Sequence, residues 1–278
     1  PVGCGERVAP GFDAPRAVVY DAEADVYLVS NAGGPRPGPD RAGGDGYIAR
    51  VSPDGSMQRY WIRGGTAGVT LHAPRGMALA GDVLWVADGA VLRRFDRTSG
   101  APLGDVEVPG AAWLDGVTAA ADGAVYCTDR GQDDAGTPTG TDAIWRVGAD
   151  GEVQAFARGE ARGRPTGVVA RPGGVYVVGA RDGAFYEIDR RGTRTDLGRA
   201  PLAGLVGLAR VDGLGADARP VWLASSHEGR CVYRFDLAGG CRALPGRVVL
   251  PGHFAADPKR KVLVVPLAGE NRLELLPL

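Results

Sequence analysis

The chain has 278 residues, 44% of them hydrophobic, and a formal net charge of -1 at pH 7. It contains neither a basic run nor a block of acidic residues, so it lacks the electrostatic footprint of a nucleic-acid-binding protein. No apolar run reaches the roughly 18 residues of a membrane-spanning helix. The 45 glycines supply many turns, as an all-β protein requires.

Six short runs rich in β-branched and aromatic residues recur along the chain, each bounded by Gly, Pro or Asp turn signals. In chain order they are Val26–Val29, Leu84–Val86, Val125–Cys127, Val175–Val178, Val221–Leu223 and Val262–Val265. Each follows a first strand that opens near a small residue, and a third alternating run comes after it. The small residues are Ala17, Gly76, Gly116, Gly167, Gly207 and Ala255.

An internal repeat of about 40 to 50 residues is typical of propeller blades. Each copy here carries an apolar face that it cannot bury alone, so neighbouring copies must pack against one another. The sequence therefore predicts an all-β fold, a single six-bladed β-propeller over residues 1–278, rather than two separate domains.

The last copy ends with the alternating run Asn271–Leu276, which leaves its sheet one strand short. Residues Cys4–Val8 precede the first blade and can supply the missing strand. We therefore expect the ring to be closed by an N-terminal strand that joins the last blade and covers its exposed edge.

Four cysteines are present, at positions 4, 127, 231 and 241. Cys127 lies in a predicted second strand and is expected to be a small buried hydrophobic residue. Cys231 and Cys241 flank a turn, and a bridge between them or from Cys4 to this blade are both open. A disulfide would favour a periplasmic or secreted location over a cytoplasmic one.

Starts of first strands and ends of second strands share one face of a propeller, so we expect the functional site at that mouth. All three histidines of the chain and several charged residues are predicted to lie there. They are His72, His227, His253, Arg16, Arg75, Asp13 and Asp115.

Two of these arginines, Arg16 and Arg75, occupy equivalent positions in adjacent blades, each directly after a proline. Two guanidinium groups that converge on a channel mouth would suit a carboxylate or phosphate ligand. The alternative is that they form internal ion pairs with Asp13 and Asp115.

The blade-entry segments resemble those of the senescence-marker-protein/gluconolactonase (regucalcin-like) family of six-bladed propellers and, more generally, NHL-type repeats. The resemblance covers nearly the whole chain. The segments that carry it are Asp13–Arg16, Asp21–Asn31, Asp115–Val117, Asp122–Tyr126, Pro165–Val168 and Gly229–Asp236. It implies the fold, but a propeller hosts many functions.

The resemblance also implies a divalent cation in the central channel of members with lactonase activity. Its ligands are a carboxylate in blade one, asparagines in blades three and four, and an aspartate in blade five. Asp13 matches the first ligand, whereas Leu114, Thr166 and Val206 stand in place of the others. A hard cation needs about six oxygen donors, so this pattern does not support a bound metal, and no cofactor is expected.

The sequence therefore favours a gluconolactonase-like propeller that has lost most of the family metal site and binds a small molecule, such as an anion, or a protein at its mouth. A monomer is expected. The alternative is a lactone or ester hydrolase with a divergent metal site, for which Asp13, Asp115, His72 and His253 offer carboxylate and imidazole donors. The catalytic candidates are Asp13, Asp115 and His253, and the ligand-binding candidates are Arg16, Arg75, Asp115, Thr166, Val206, His72 and His227.

Overall fold

Twenty-four strands form six four-stranded antiparallel sheets within the part of the chain that the structure describes. The structure is a computed structural model that describes residues 6–33, 45–133, 135–212, 220–237 and 240–278, with the backbone alone for residues 6–10. The sheets are the blades of a six-bladed β-propeller, which confirms the predicted fold class.

The strands follow one another blade by blade along the chain. The N-terminal strand is β1 (Glu6–Pro10). Blade one contains β2 (Pro15–Asp21), β3 (Val26–Asn31), β4 (Tyr47–Val51) and β5 (Met57–Arg63). Blade two contains β6 (Met77–Ala80), β7 (Val83–Asp88), β8 (Val91–Asp96) and β9 (Pro102–Glu107). Blade three contains β10 (Leu114–Ala119), β11 (Val125–Asp129), β12 (Ala143–Val147) and β13 (Val153–Arg158).

The second half of the ring repeats this order. Blade four contains β14 (Pro165–Arg171), β15 (Gly174–Gly179), β16 (Ala184–Asp189) and β17 (Arg194–Arg199), and a short 3-10 helix, Glu160–Arg162, precedes it. Blade five contains β18 (Leu205–Val211), β19 (Val221–Ser226), β20 (Cys231–Phe235) and β21 (Cys241–Ala243). Blade six contains β22 (Ala255–Asp257), β23 (Val262–Leu267) and β24 (Arg272–Pro277).

Strand β1 pairs with β24 and completes the sheet of blade six, in the order β1-β24-β23-β22. The pairing is antiparallel, with Glu6 opposite Leu275 and Val8 opposite Leu273. The predicted closure of the ring by an N-terminal strand is therefore confirmed.

Apolar side chains of neighbouring blades interlock to form the core. Between blades one and two, for example, Leu28 and Ile48 pack with Leu84 and Phe95, all at most 2% exposed. The second strands are the most buried, and every residue of β3, β11 and β19 is buried. Burial on both faces explains why these strands read as continuous apolar runs rather than as alternating ones.

Buried hydroxyl groups on the second strands of blades one, three and five connect each blade to the next. The bonds are Ser30 Oγ to Arg75 O at 2.7 Å, Thr128 Oγ1 to Thr166 O at 2.7 Å and Ser225 Oγ to Gly252 O at 2.8 Å. The hydroxyls of blades three and five also accept the N–H of the glycine on their own first strand, Gly116 or Gly207. Each of these two hydroxyls is therefore a relay between two backbone groups.

The even-numbered blades carry apolar residues at the same position, namely Ala87, Val178 and Pro266. In blade two the backbone makes the connection directly, because Gly76 N donates to Asp115 O at 2.9 Å. A Cβ atom on Gly76 would lie only 2.2 Å from that oxygen, so the close approach of the two blades requires glycine.

Cys127 is completely buried, as the sequence predicted, and Cys231 and Cys241 are free thiols. Cys4 lies outside the described residues. Within the described ranges, no helix is long and apolar enough to cross a membrane.

Candidate functional site

The mouth of the ring is shaped by irregularities in the first strands. The ladders between first and second strands shift register between Pro15 and Ala17, Leu114 and Val117, Pro165 and Val168, and Leu205 and Leu208. These four bulges lie at equivalent places in blades one, three, four and five. A bulge turns a side chain away from the regular alternation of a strand, so residues here are aimed differently from those further along.

Six of the residues predicted from the sequence line a shallow depression of about 20 Å³ at this mouth. They are Arg16, Arg75, Asp115, Val206, His227 and His253. They come from blades one, two, three, five and six, so the depression lies on the axis of the ring. The structure thus brings together residues as far apart in sequence as Arg16 and His253.

Asp115 is the carboxylate at the centre of this group. Its Oδ1 atom lies 3.0 Å from Nε2 of His253 and 3.8 Å from a terminal guanidinium nitrogen of Arg75, and only 4% of the residue is exposed. Burial alone would raise the pKa of Asp115, but the hydrogen bond and charge of His253 and the charges of Arg75 and Arg130 outweigh it. The pKa of Asp115 is therefore held well below its usual range, and the group is an anion.

His227 lies beside the same group of charges. Burial lowers the pKa of His227 to about 4, and the positive charges of Arg16, His253 and Arg75 act in the same direction, against the opposing effect of Asp115. His227 is therefore neutral at pH 7 and can accept or donate a hydrogen bond at the mouth.

The sequence-based prediction did not include the arginine that completes the mouth. The guanidinium carbons of Arg75 and Arg130 lie 5.2 Å and 5.8 Å from the ring centroid of Trp113, within the range of cation–π contacts. Arg130 follows the buried Asp129 at the end of a second strand. This position just after the end of a second strand, where the sequence predicts other residues of the mouth, is the signal that could have identified Arg130.

A second cavity, of about 130 Å³, lies beneath the depression. It is lined by apolar side chains, among them Val18, Met77 and Phe254, and by the glycines Gly76 and Gly116. His253 contributes to the wall of both spaces, whereas Arg16, Arg75 and Asp115 line only the depression, so the charged part of the site lies at the mouth.

The structure places three other candidates outside the depression. Asp13 forms an ion pair with Arg59 at 2.8 Å. His72 lies against Asp88, with 3.3 Å between Nδ1 and Oδ2. Thr166 donates its buried hydroxyl to Leu205 O at 2.8 Å. The prediction that His72 and Thr166 contact a ligand at this depression is therefore not supported by their positions.

The expectation that Leu114 lines the channel at the height of a metal ligand is wrong. Leu114 is completely buried in the hydrophobic cluster that contains Val125 and Trp145. The reason is the bulge in β10, which aims Asp115 at the axis and leaves its neighbour in the core. Of the three residues that stand in place of the family ligands, Val206 alone is among those that line the depression.

The donor set at the mouth does not fit the divalent cation that the family resemblance implies. Among the described residues, no group of three or more His, Cys, Asp or Glu side chains is placed to hold a metal ion. Asp115 and His253 are already bonded to each other, and the nearby guanidinium groups would repel a cation. These residues therefore offer a better site for an anion.

Comparisons with solved structures give the same fold. The chain is 20% identical to a protein assigned as a gluconolactonase, with 99% of this chain and 92% of that chain covered and a TM-score of 0.71. A gluconolactonase from Xanthomonas campestris is also 20% identical, with 99% and 98% covered and a TM-score of 0.63. A catalytically inactive virginiamycin B lyase from Staphylococcus aureus, solved with quinupristin, is 12% identical, with 99% and 98% covered and a TM-score of 0.64.

No family model matches the chain. The search of curated proteins found no match either. The similarity to known proteins therefore rests on the fold alone. They establish that the chain has a propeller fold shared with gluconolactonases and with virginiamycin B lyase.

Proposed function

We propose that the protein binds a small anionic molecule at the mouth of the propeller. The observation that carries this proposal is the convergence of arginines there: Arg16 and Arg75 line the depression, and the charge of Arg130 acts on the buried Asp115 beside them. Guanidinium groups placed in this way offer charge-assisted hydrogen bonds to a carboxylate or phosphate group.

The size of the depression indicates how such a ligand sits. A volume of about 20 Å³ is enough for about one water molecule and cannot enclose a ligand. The carboxylate or phosphate would therefore lie on the surface of the depression beside the arginines, and the remainder of the molecule would lie above the mouth. Trp113, whose ring is in cation–π contact with both Arg75 and Arg130, offers an aromatic surface for that remainder.

Citrate and inorganic phosphate are suitable first probes, with binding measured by calorimetry at low ionic strength. Replacing Arg16 or Arg75 by Ala should weaken binding at least tenfold, because each change removes a charge-assisted contact to the acid group. Arg242→Ala, a change at an exposed arginine on β21, is the matched control and should leave the affinity unchanged. Equal affinity for the parent and both mouth variants would refute the proposal.

A second candidate function is a hydrolase that opens a lactone or a related ester. The specific observation in its favour is the buried pair of Asp115 and His253, and gluconolactonases share the fold. In the neutral form of His253 the proton lies on Nε2, because a carboxylate only accepts hydrogen bonds, and Nδ1 could then remove a proton from water. Asp115 would then hold the ring in orientation and stabilise its charged form.

The two candidates are separated by turnover of glucono-1,5-lactone, compared with spontaneous hydrolysis. A hydrolase should lose its activity in the variant His253→Gln, whereas Arg242→Ala should retain it. Titration with calcium, zinc, manganese and magnesium while following the melting temperature tests for a divergent metal site. A metal at 100 times its Kd would add about 2.7 kcal/mol to the free energy of unfolding.

A further inference from the structure

On the face of the ring opposite the mouth, a cavity of about 590 Å³ lies in the groove between blades three and four. Its wall contains a row of alanines, the rings of Tyr126 and Phe156, and the side chains of Arg146, Arg171 and Arg190. Cavities of about 300 to 1,000 Å³ that combine apolar walls with a few polar groups are typical small-molecule sites.

The equivalent groove between blades one and two is filled by an ion pair. Arg97 follows the aspartate that ends the third strand of blade two, and it reaches across to Asp21 of blade one. The two contacts are 2.9 Å from Nε to Oδ2 and 2.5 Å from a terminal nitrogen to Oδ1. The guanidinium thus holds the carboxylate in the two-pronged geometry that arginine favours.

Blade four has an arginine at the same position, but its partner in blade three is missing. Arg190 directly follows Asp189, the last residue of β16, as Arg97 follows Asp96, the last residue of β8. Asp21 is the fourth residue after Ala17, and the fourth residue after the equivalent Gly116 is Ala120.

The short side chain of Ala120 therefore leaves a space where blade one has a carboxylate. Arg190 lines that space and is exposed, and it forms no ion pair with any residue in the described ranges. The other two arginines in the wall are already engaged, because Arg146 lies 3.2 Å from Asp122 and Arg171 lies 3.1 Å from Glu187. The cavity thus has one uncompensated positive charge.

We propose that this cavity is a second binding site, which takes a small aromatic carboxylate. The carboxylate occupies the place of the Asp21 carboxylate and pairs with Arg190. The flat ring lies over the alanines of the wall and against Tyr126 and Phe156. Those two rings already meet edge to face, with centroids 5.1 Å apart, which leaves an aromatic surface at the wall.

The test measures binding of 2-naphthoate and indole-3-acetate to the full chain by saturation-transfer NMR and calorimetry. Millimolar or tighter binding is expected for the parent, and 2-naphthalenemethanol, which lacks the charge, should bind at least tenfold more weakly. Arg190→Gln should weaken binding of both acids at least tenfold without changing the melting temperature, because Arg190 is exposed.

Ala120→Asp is the most informative variant, because it introduces in blade three the carboxylate that blade one has at the equivalent position. It should pair with Arg190, raise the melting temperature and abolish binding of both acids. Arg75→Ala, at the opposite face, should leave binding at this cavity unchanged, so failure of the mouth site and failure of this site are distinguishable. Absence of binding by the parent, or undiminished binding by Arg190→Gln, would overturn the proposal.

Discussion

The imidazole of His253 and the carboxylate of Asp115 meet across the mouth of the ring, with 3.0 Å between Nε2 and Oδ1. His253 precedes blade six and Asp115 belongs to blade three, so the contact spans opposite blades. It lies between the depression above and the second cavity below, and His253 contributes to both walls. The pair therefore closes the axis of the propeller at the level of the candidate site.

Asp115→Asn should reduce the free energy of unfolding at pH 7 by about 2 kcal/mol and make it less sensitive to acid. The pKa of Asp115 is lowered in the folded state, so its contribution is present above the unfolded-state pKa of about 4 and is lost as pH falls towards the folded-state value. Urea denaturation at pH 7 and pH 3 measures both quantities. The difference between the parent and the variant should be smaller at pH 3 than at pH 7, and an equal difference at both would contradict the assignment.

His227→Gln tests the second perturbed group at the mouth. The pKa of His227 is about 4 in the folded protein and about 6.5 when unfolded, so the unfolded chain binds more protons between these values. The contribution is therefore complete above pH 6.5 and is lost as pH falls towards 4. Because the side chain is partly exposed, we expect the free energy of unfolding of the parent to fall by only about 1 to 2 kcal/mol between pH 7 and pH 4 through this group. The variant should not show this loss. Parallel stability curves from pH 7 to pH 4 would show that His227 is not desolvated.

Thr128→Val removes one hydroxyl relay while keeping the shape of the side chain. Thr128 is completely buried, and its hydroxyl accepts from Gly116 N at 2.8 Å and donates to Thr166 O at 2.7 Å. Two buried backbone groups lose a hydrogen-bond partner, so the free energy of unfolding should fall by about 2 to 4 kcal/mol. The control Thr195→Val, at an exposed position on β17, should change the free energy of unfolding by less than about 0.5 kcal/mol. Equal effects of the two substitutions would argue against the relay.

Deletion of residues 1–10 should destabilise the whole ring, because it removes β1 and leaves β24 as an open edge. We expect a loss of more than about 3 kcal/mol in the free energy of unfolding and a tendency to aggregate. Deletion of residues 1–5, which retains β1, is the control. Thermal unfolding and light scattering measure the two effects, and a 1–10 deletion as stable as the control would show that closure does not depend on this strand.

The fold was predictable because the second strand of each blade is buried on both faces and recurs six times. Val26–Val29 and Val221–Leu223, for example, both lie within observed second strands. The site was predictable only in part, because simple strand alternation does not reveal a bulge. Leu114 and Asp115 are adjacent in sequence, but the irregularity in β10 decides which of them faces the axis.

Ion pairs were even harder to predict from the sequence than the bulges. Asp13 was considered as a partner for Arg16, whereas in the structure it contacts Arg59, which lies on the outermost strand of the same blade. Nothing in the sequence alone links Arg190 to Ala120, because the two residues become neighbours only in the folded ring, in the groove between blades three and four. In a repeat protein, a missing partner is recognised by comparison with another copy in which that partner is present.

The hydroxyl connections have a consequence for the symmetry of the ring. Ser30, Thr128 and Ser225 occur on every other blade, and apolar residues take their place on the blades between. At this one strand position the bonding between blades therefore repeats three times around the ring rather than six. Each odd-numbered blade is joined to the blade that follows it by a second-strand hydroxyl, so a circular permutation that opens the ring between blades one and two, three and four, or five and six would break one of these bonds.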